Sequence, residues 1–518
     1  MIPTDFYIGY LHKNMNSKSN KSHKVQRRKV KPRIQRKTSR MSASRLRKNQ
    51  GTTTPKATID LFKQKDSKKD RIYLDANGTT PMCSDAIKSL HAWANCGNPS
   101  SSSYSGKEAK RLLDLAIDNI CKHCGVSRRT YTVLFTPSAS ASNSQILQAT
   151  SKAYKNIVGT IPHIITSSIE HKSLLNCAKH LEENKDIELT LIDPDIYGRI
   201  NPQDVEAAIK SKKTALISIM AVNNEIGSKN DIVAIGEVAK KHNIAFHCDA
   251  VQLFGKERIN VVKTNMDAMS ASFHKFYGPK GLGLLILSNN LINGYKLKTC
   301  PIIFGTQQQG LLGGTENPAI IASGLSALKS TFQNRKEKNA TLKKKTQYIL
   351  NRLSVHLPLG DYKNYTDRHE YDPLPDDVYV APLQAKKSHE LVVLGPPRER
   401  KQDAGNTLLL SIVKNKGSAF CNQKLKNALR DAGVIISIGS ACNTGDNTAS
   451  HVIDAIGAPP EIKRGIVRIS LNDYTTESEL NKFIQIFIKC IDKQIPGVNR
   501  PRQITTPKKP RPVAKRTK

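Results

Sequence analysis

The sequence predicts an α/β fold: a large domain on a mainly parallel sheet, then a smaller α+β domain towards the C-terminus. Three observations predict it. Short apolar runs alternate with helix-spaced segments from Thr132 to Leu287. Those runs are apolar throughout, as in strands covered by helices on both faces, where a half-exposed strand would alternate. Beyond Leu287 the alternation stops and gives way to a long helical stretch, isolated strand-like runs and a final helix.

Taken in order, Arg71-Ile-Tyr-Leu-Asp75 opens the ordered chain and Asn77-Gly78-Thr79-Thr80-Pro81 turns it. Helices are expected over 86–93 and, on the spacing of Leu112, Leu115, Ala116 and Ile120, over 108–121, with a serine-rich loop at 97–103 between them. Strands are expected at 132–135, 163–167, 188–192, 214–220, 244–247 and 283–287. Helices at 142–154, 173–181, 202–210 and 232–242 lie between them. Ligands of such sheets sit outside the carboxyl ends of the strands, so the turns after Phe135, Ser167, Met220, His247 and Ser272 share one rim. A long helix from Ile320 through Leu353 links to the smaller domain, with strands at 408–413 and 434–438 and a closing helix at 477–491. The expected division is a basic tail over 1–69, a large domain over 70–325, and a small domain over 326–497 carrying a surface insert at about 360–388. A second tail covers 498–518.

The net charge of +38 sits mostly at the ends. Residues 1–50 hold 15 Lys+Arg against one acid, Asp5, and residues 499–518 hold eight basic residues and no acid; together they carry +22. Ends so poor in apolar surface are expected to be disordered. They suit a salt-sensitive contact with nucleic acid or another polyanion, a nuclear address such as Lys508-Lys509-Pro510-Arg511, or plain solubilisation. No window approaches the roughly 18 apolar residues of a membrane span. Ten cysteines without a disulfide-framework spacing suit a reducing compartment. An intracellular protein is expected, cytoplasmic first, with nuclear and mitochondrial alternatives open.

The rim carries the chemistry. Ser270-Ala271-Ser272-Phe273-His274-Lys275-Phe276-Tyr277-Gly278-Pro279 places a lysine where a strand ends. A lysine there can hold an aldehyde cofactor, pyridoxal phosphate (PLP), as a Schiff base, and Ser272 and His274 can bind its phosphate. Asp249 follows the strand 244–247 and suits a protonated pyridinium nitrogen, while Gln252 can donate to the ring oxygen. His171 can lie on a ring face, Asn224 supplies polar donors, and the turn before Ala139 and Ser140 offers helix N–H groups to a phosphate. Singly, each reads more readily as a cap or a packing residue; their conjunction and order carry the signal.

These motifs together resemble the cysteine desulfurases (NifS/IscS-like), in the class V aminotransferase group of PLP enzymes. The matching stretches are 73–81, 97–101, 135–143, Glu170-His171, 222–227, 247–252, 273–281, 314–317, Gly439-Ser440-Ala441-Cys442 and 467–471. The resemblance covers about residues 72–490. It implies an aspartate aminotransferase-like, fold type I PLP-dependent transferase that takes sulfur from L-cysteine, leaves L-alanine, and passes an enzyme-bound persulfide to an acceptor protein of scaffold or tRNA-thiolation type. Lys275 would be the Schiff-base lysine and Cys442 the sulfur-accepting cysteine. His171 would stack on the ring, Asp249 pair with its nitrogen, and Gln252 and Asn224 reach the ring oxygen or substrate. Ala139, Ser140, Ser272 and His274 would hold the phosphate with Thr315 of a homodimer partner, and Arg468 would clamp the substrate carboxylate. No resident metal is implied, beyond a transient iron–sulfur cluster bridged by Cys442. Cys121 and Cys124, a lone pair at a helix end, read as incidental.

The chain departs from the pattern at several positions. Gln309 and Leu312 stand where the family shows arginines, Ser103 where it shows His, and Ala141 where it shows Glu. A selenocysteine lyase-type relative, or a weakened scaffold binding nucleic acid through its tails, are the alternatives these departures leave open. If the tails carry polyanion contact, binding to a nucleic acid duplex falls steeply with salt and is abolished by removing residues 1–50 and 499–518, measured by fluorescence anisotropy; salt-independent binding would contradict it.

Overall fold

The structure is a computed structural model that describes residues 72–210, 213–366, 389–397, 403–414, 420–437 and 450–494. Cys442, both basic tails and the 360–388 insert beyond Thr366 lie outside the described residues. The described residues fall in one compact unit.

After a two-residue strand, β1 (Ile72–Tyr73), seven strands build the main sheet: β2 (Tyr131–Thr136), β3 (His163–Ser167), β4 (Glu188–Ile192), β5 (Thr214–Ser218), β6 (Ala245–Asp249), β7 (Ala268–Ser272) and β8 (Gly283–Ser288). Their order is β2-β8-β7-β6-β5-β3-β4. Only β8 runs against its neighbours, β2 and β7; the others are parallel. Two antiparallel steps restore direction, so β2 and β7 point the same way, and the carboxyl ends of six strands share one rim. Period-two alternation splits the sheet between two cores. Ile165, Ile217, Phe246 and Met269 pack on one face, and Ile164, Leu216, Ala245 and Ala268 on the other. That is why the runs read as continuously apolar.

Helices begin where side chains cap them. Ser103 accepts from Gly106 N–H, starting the Tyr104–Cys124 helix four residues before the expected boundary. Ser138 accepts from Ala141 N–H and starts Ala139–Val158 three residues early. Ala139 and Ser140 therefore lie in a first turn.

The long helix expected from Ile320 to Leu353 is instead two, Pro318–Phe332 and Arg335–Ser354. The break is Gln333, extended at ψ 121°, followed by Asn334 at φ 53°. Asparagine tolerates that left-handed conformation better than most residues, and the apolar spacing on either side does not report it. Beyond it, β9 (Leu359–Asp361), β10 (His389–Leu394), β11 (Thr407–Lys414) and β13 (Ile466–Ser470) form a second sheet in the order β13-β11-β10-β9. β12 (Val434–Ile435) pairs in parallel with β1, and Asp75 bridges to Ser470. The first described residues of the chain are thus stitched to its last strands. The expected strand at 434–438 is shortened to two residues.

A tight turn follows β6. Gly255 has φ 81°, and a Cβ there would stand 2.3 Å from the Phe276 ring. Gly255→Ala combines a left-handed penalty with overlap in a packed core, and is expected to cost on the order of 2–4 kcal/mol, read as a lower urea midpoint. An unchanged midpoint would show that the turn relaxes freely.

Candidate active site

Lys275 sits in the short 3₁₀ turn Phe273–Lys275 that β7 feeds directly. Its Nζ donates to the carbonyls of Asn77 (2.7 Å) and Gly78 (2.8 Å). Burial lowers its pKa to about 8, the Arg468 cation assists, and the Asp75 and Asp249 carboxylates oppose the shift. A lysine so placed has a far larger neutral fraction near physiological pH than a solvated one.

Asp249 ends β6 and is 4% exposed. One carboxylate oxygen accepts from Asn143 Nδ2 at 2.7 Å and the other from Val251 N–H at 3.0 Å. Three residues on, Gln252 donates through Nε2 to the Asn77 carbonyl at 3.1 Å and accepts from Lys256 Nζ at 2.6 Å. Asn77 thus receives both Gln252 and Lys275 on a single carbonyl oxygen.

His171 caps the Lys172–Glu183 helix; its Nδ1 accepts from Ser173 N–H at 3.1 Å, which fixes the ring's orientation. It is exposed by area, yet the protein around it lowers its pKa by desolvation, opposed by Asp249 and assisted by Lys275 and His451. These electrostatic couplings place His171, Asp249 and Lys275 on one patch of the rim.

A candidate anion corner lies at Gly283. Its strand neighbours in register are Ser272 on β7 and Thr136 on β2, and a Cβ there would meet the Ser138 backbone at 2.3 Å. The missing side chain lets the start of the Ala139–Val158 helix settle against the strand end beside Ser272. Ser138 takes the Ala141 N–H, and the N–H groups before it have no partner inside the helix, which makes this a candidate place for an anion. His274 Nδ1 contacts Thr79 Oγ1 at 3.0 Å, while burial, with Lys275 and Lys280, lowers its pKa to about 4. A neutral imidazole there accepts or donates without carrying charge.

Arg468, on β13, is 6% exposed and reaches across from the second sheet. Its Nη2 donates to Asp75 at 2.7 Å and its Nη1 to the Asn224 carbonyl at 3.1 Å, while its buried Nε has no partner among the described residues. Asn224 enters through its backbone. Thr315 is exposed on the loop before Pro318 and is not joined to Lys275 within the chain. Leu312, where the family pattern has an arginine, is 3% exposed. Nearby, Gln308 clamps both backbone groups of Phe135 at 2.7 and 3.1 Å.

The geometry adds residues that motif reading passed over. Glu170 is fully buried; Ser167 Oγ and Met220 N–H donate to Oε1, and Oε2 has no partner among the described residues. Burial pushes its pKa up to about 8. His451 Nε2 donates to the Glu170 carbonyl at 2.8 Å, and its buried Nδ1 has no partner among the described residues. Glu170 sat beside His171 in a quoted motif, so a signal existed; His451 and Lys256 had none, because their partners lie far away or one turn behind.

Residues 72–369 match the family model described as Aminotransferase class-V. Over 429 residues the chain is 31% identical to "Cysteine desulfurase IscS" of Dictyoglomus turgidum, spanning 82% of this chain and 95% of that protein. The chain belongs to the class V aminotransferases, on their cysteine desulfurase branch. Among solved structures, "NIFS-LIKE PROTEIN" matches with a TM-score of 0.66 at 25% identity, over 82% of this chain and all of that one. "SspA in complex with cysteine" matches with a TM-score of 0.60 at 29% identity, over 78% and 100%. The fold is that of the NifS-like PLP enzymes, as expected from the resemblance.

Glu170 yields a prediction. A carboxyl whose folded pKa lies above its unfolded one adds stability at low pH and loses it as pH rises through the folded value. Wild type therefore sheds this contribution between pH 4.5 and about 8. Glu170→Gln keeps the acceptor for Ser167 and Met220 and carries no proton, so its urea midpoint is expected to be flatter over that range. A parallel pH dependence in the two proteins would contradict a protonated Glu170.

Proposed function

We propose that this chain is a PLP-dependent cysteine desulfurase that takes sulfur from L-cysteine, releases L-alanine, and holds the sulfur as a persulfide for transfer. The single observation that carries the reading is Lys275: a half-buried lysine at the carboxyl end of the parallel sheet, its pKa lowered to about 8, with Asp249 and Arg468 close enough to act on it.

The residues present suit pyridoxal phosphate. A buried carboxylate fixed by Asn143 suits a protonated ring nitrogen, the Gly283 corner suits a phosphate, and Lys275 suits the aldehyde. Bound there, the cofactor supplies an electron sink that labilises the bonds of the substrate's Cα and Cβ. Lys275 would hold it at rest and is the base placed to move the Cα proton. Asp249 keeps the ring nitrogen charged, His171 covers a ring face, and Gln252 and Asn224 address the ring oxygen or substrate. Ala139, Ser140, Ser272 and His274 take the phosphate, with Thr315 contributed across a homodimer. Arg468, a planar fork with an unspent Nε, takes the substrate carboxylate. The Cys442 thiolate attacks the substrate sulfur; its S–S bond forms as the C–S bond breaks, and the carbon fragment takes up a proton to leave as alanine.

A sulfur-acceptor protein, contact of the tails with a polyanion, and an intracellular site complete the proposal. The boundary between the two catalytic domains is proposed near the break at Asn334, where helix gives way to helix. An apolar Leu312 in place of an arginine fits an enzyme with altered substrate handling more simply than a dead scaffold, since Lys275, Asp249, His171 and Arg468 are all retained.

The test is the absorbance spectrum of protein reconstituted with PLP, before and after L-cysteine. A violet-edge band is expected that shifts with cysteine and is absent in Lys275→Ala, with alanine formation falling on the order of 10²–10⁴-fold in that variant. Cys442→Ala is expected to keep the band and lose sulfide release. A colourless wild type would sink the proposal, and so would sulfide release that survives Cys442→Ala.

A further inference from the structure

Behind the rim lies a cavity of about 30 Å³, lined on its polar side by Lys275, Gln252, Lys256, Tyr277, Arg335 and Asp473. Lys256 is the unexplained member. It follows the Gly255 turn that tucks the chain beneath Phe276, and its Nζ donates to Gln252 Oε1 at 2.6 Å. It makes no ion pair among the described residues. The acids beside it are spent elsewhere: Glu257 on Lys229, and Asp473 on Arg335 through two contacts of 2.9 Å. Asn339 Nδ2 donates to the Lys256 carbonyl at 2.9 Å and its Oδ1 accepts from Arg335, so the backbone under this lysine is also held.

A cation kept off two nearby carboxylates and placed on a neutral amide is costly for stability alone. It has a directional consequence. An ammonium only donates, so the Gln252 atom facing it must be the carbonyl oxygen, and the NH₂ must face the opposite way. That is where Nε2 is found, donating to the Asn77 carbonyl that also holds Lys275. Without Lys256 only the Asn77 carbonyl orients the amide, and the flipped form, which turns an acceptor towards the site, loses one of the two partners that oppose it.

We propose that Lys256 is a positioning residue that, with the Asn77 carbonyl, locks the Gln252 amide so that an N–H donor faces the ring oxygen of a cofactor held on Lys275. The proposal rests on the functional reading above. The charges facing Lys256 are Lys275 and Arg335, which disfavour its protonation, and Asp473 and Glu257, which favour it; burial dominates and lowers its pKa to about 7. The lock is therefore tightest in mildly acidic solution and loosens as pH rises.

The experiment is a pH titration of the visible band of full-length, PLP-loaded protein. A donor to the ring oxygen stabilises its anion, so losing it raises the pH at which the band titrates by about one unit, the order expected for one hydrogen bond. Lys256→Met is expected to shift the band by that amount. Gln252→Ala should shift it equally, the double variant no further, and Lys256→Arg, which still only donates, should restore the wild-type value. If Lys256→Met does not fold, Lys256→Gln, which can accept as well as donate, replaces it. A wild-type titration in Lys256→Met or Lys256→Gln, or additive shifts in the double variant, overturns the proposal alone. A wild type with no band that Lys275→Ala abolishes overturns the functional reading, and the proposal with it.

Discussion

Asn77 is the point on which the site depends. It is 3% exposed, and its polar groups are engaged in every direction. Its N–H donates to Ser470 Oγ, its Nδ2 to Thr407 Oγ1 and the Asn224 carbonyl, and its Oδ1 accepts from Asn406. Its own carbonyl receives Gln252 and Lys275. A buried amide must find partners for all its donors and acceptors or bear the desolvation cost. Here that requirement ties the seven-stranded sheet, which supplies Gln252 and Lys275, to the second sheet, which supplies Thr407 and Ser470. Neither sheet alone fixes the lysine.

Around that joint, charge is handled in two ways. Several acids have close partners: Asp75 pairs with Arg468, Asp473 with Arg335, and Asp249 accepts from an amide and a backbone N–H. Groups without a counter-charge are driven towards neutrality by burial, Glu170 upwards and His247 and His274 downwards. A site arranged this way would meet a charged ligand with fixed dipoles and paired cations.

The sequence made the parallel sheet, its rim and most of the rim residues legible, because doubly covered strands leave continuous apolar runs and strand-end turns leave compact motifs. What it hid shares a physical cause. The break at Asn334 depends on one residue's φ, which apolar spacing does not encode. Helix starts at Ser103 and Ser138 are set by caps that precede the apolar pattern. The antiparallel sense of β8 has no signature in a strand buried at every residue. Lys256 and His451 act through partners that hydrophobic periodicity does not register. Arg468, by contrast, was visible only through resemblance; its contact with Asp75 spans 393 positions.

That last separation has a consequence for how the protein is made. The carbonyls that hold Lys275 belong to residues 77 and 78, yet their neighbourhood is anchored by Thr407, Val434 and Ser470. A ribosome delivers the first of these segments long before the last. The main sheet has all its strands once residue 288 is out, but its lysine cradle stays unfinished until the chain is nearly complete. Such long-range closures are slow steps in folding. The cradle of Lys275 is therefore completed only when the last strands of the chain are in place.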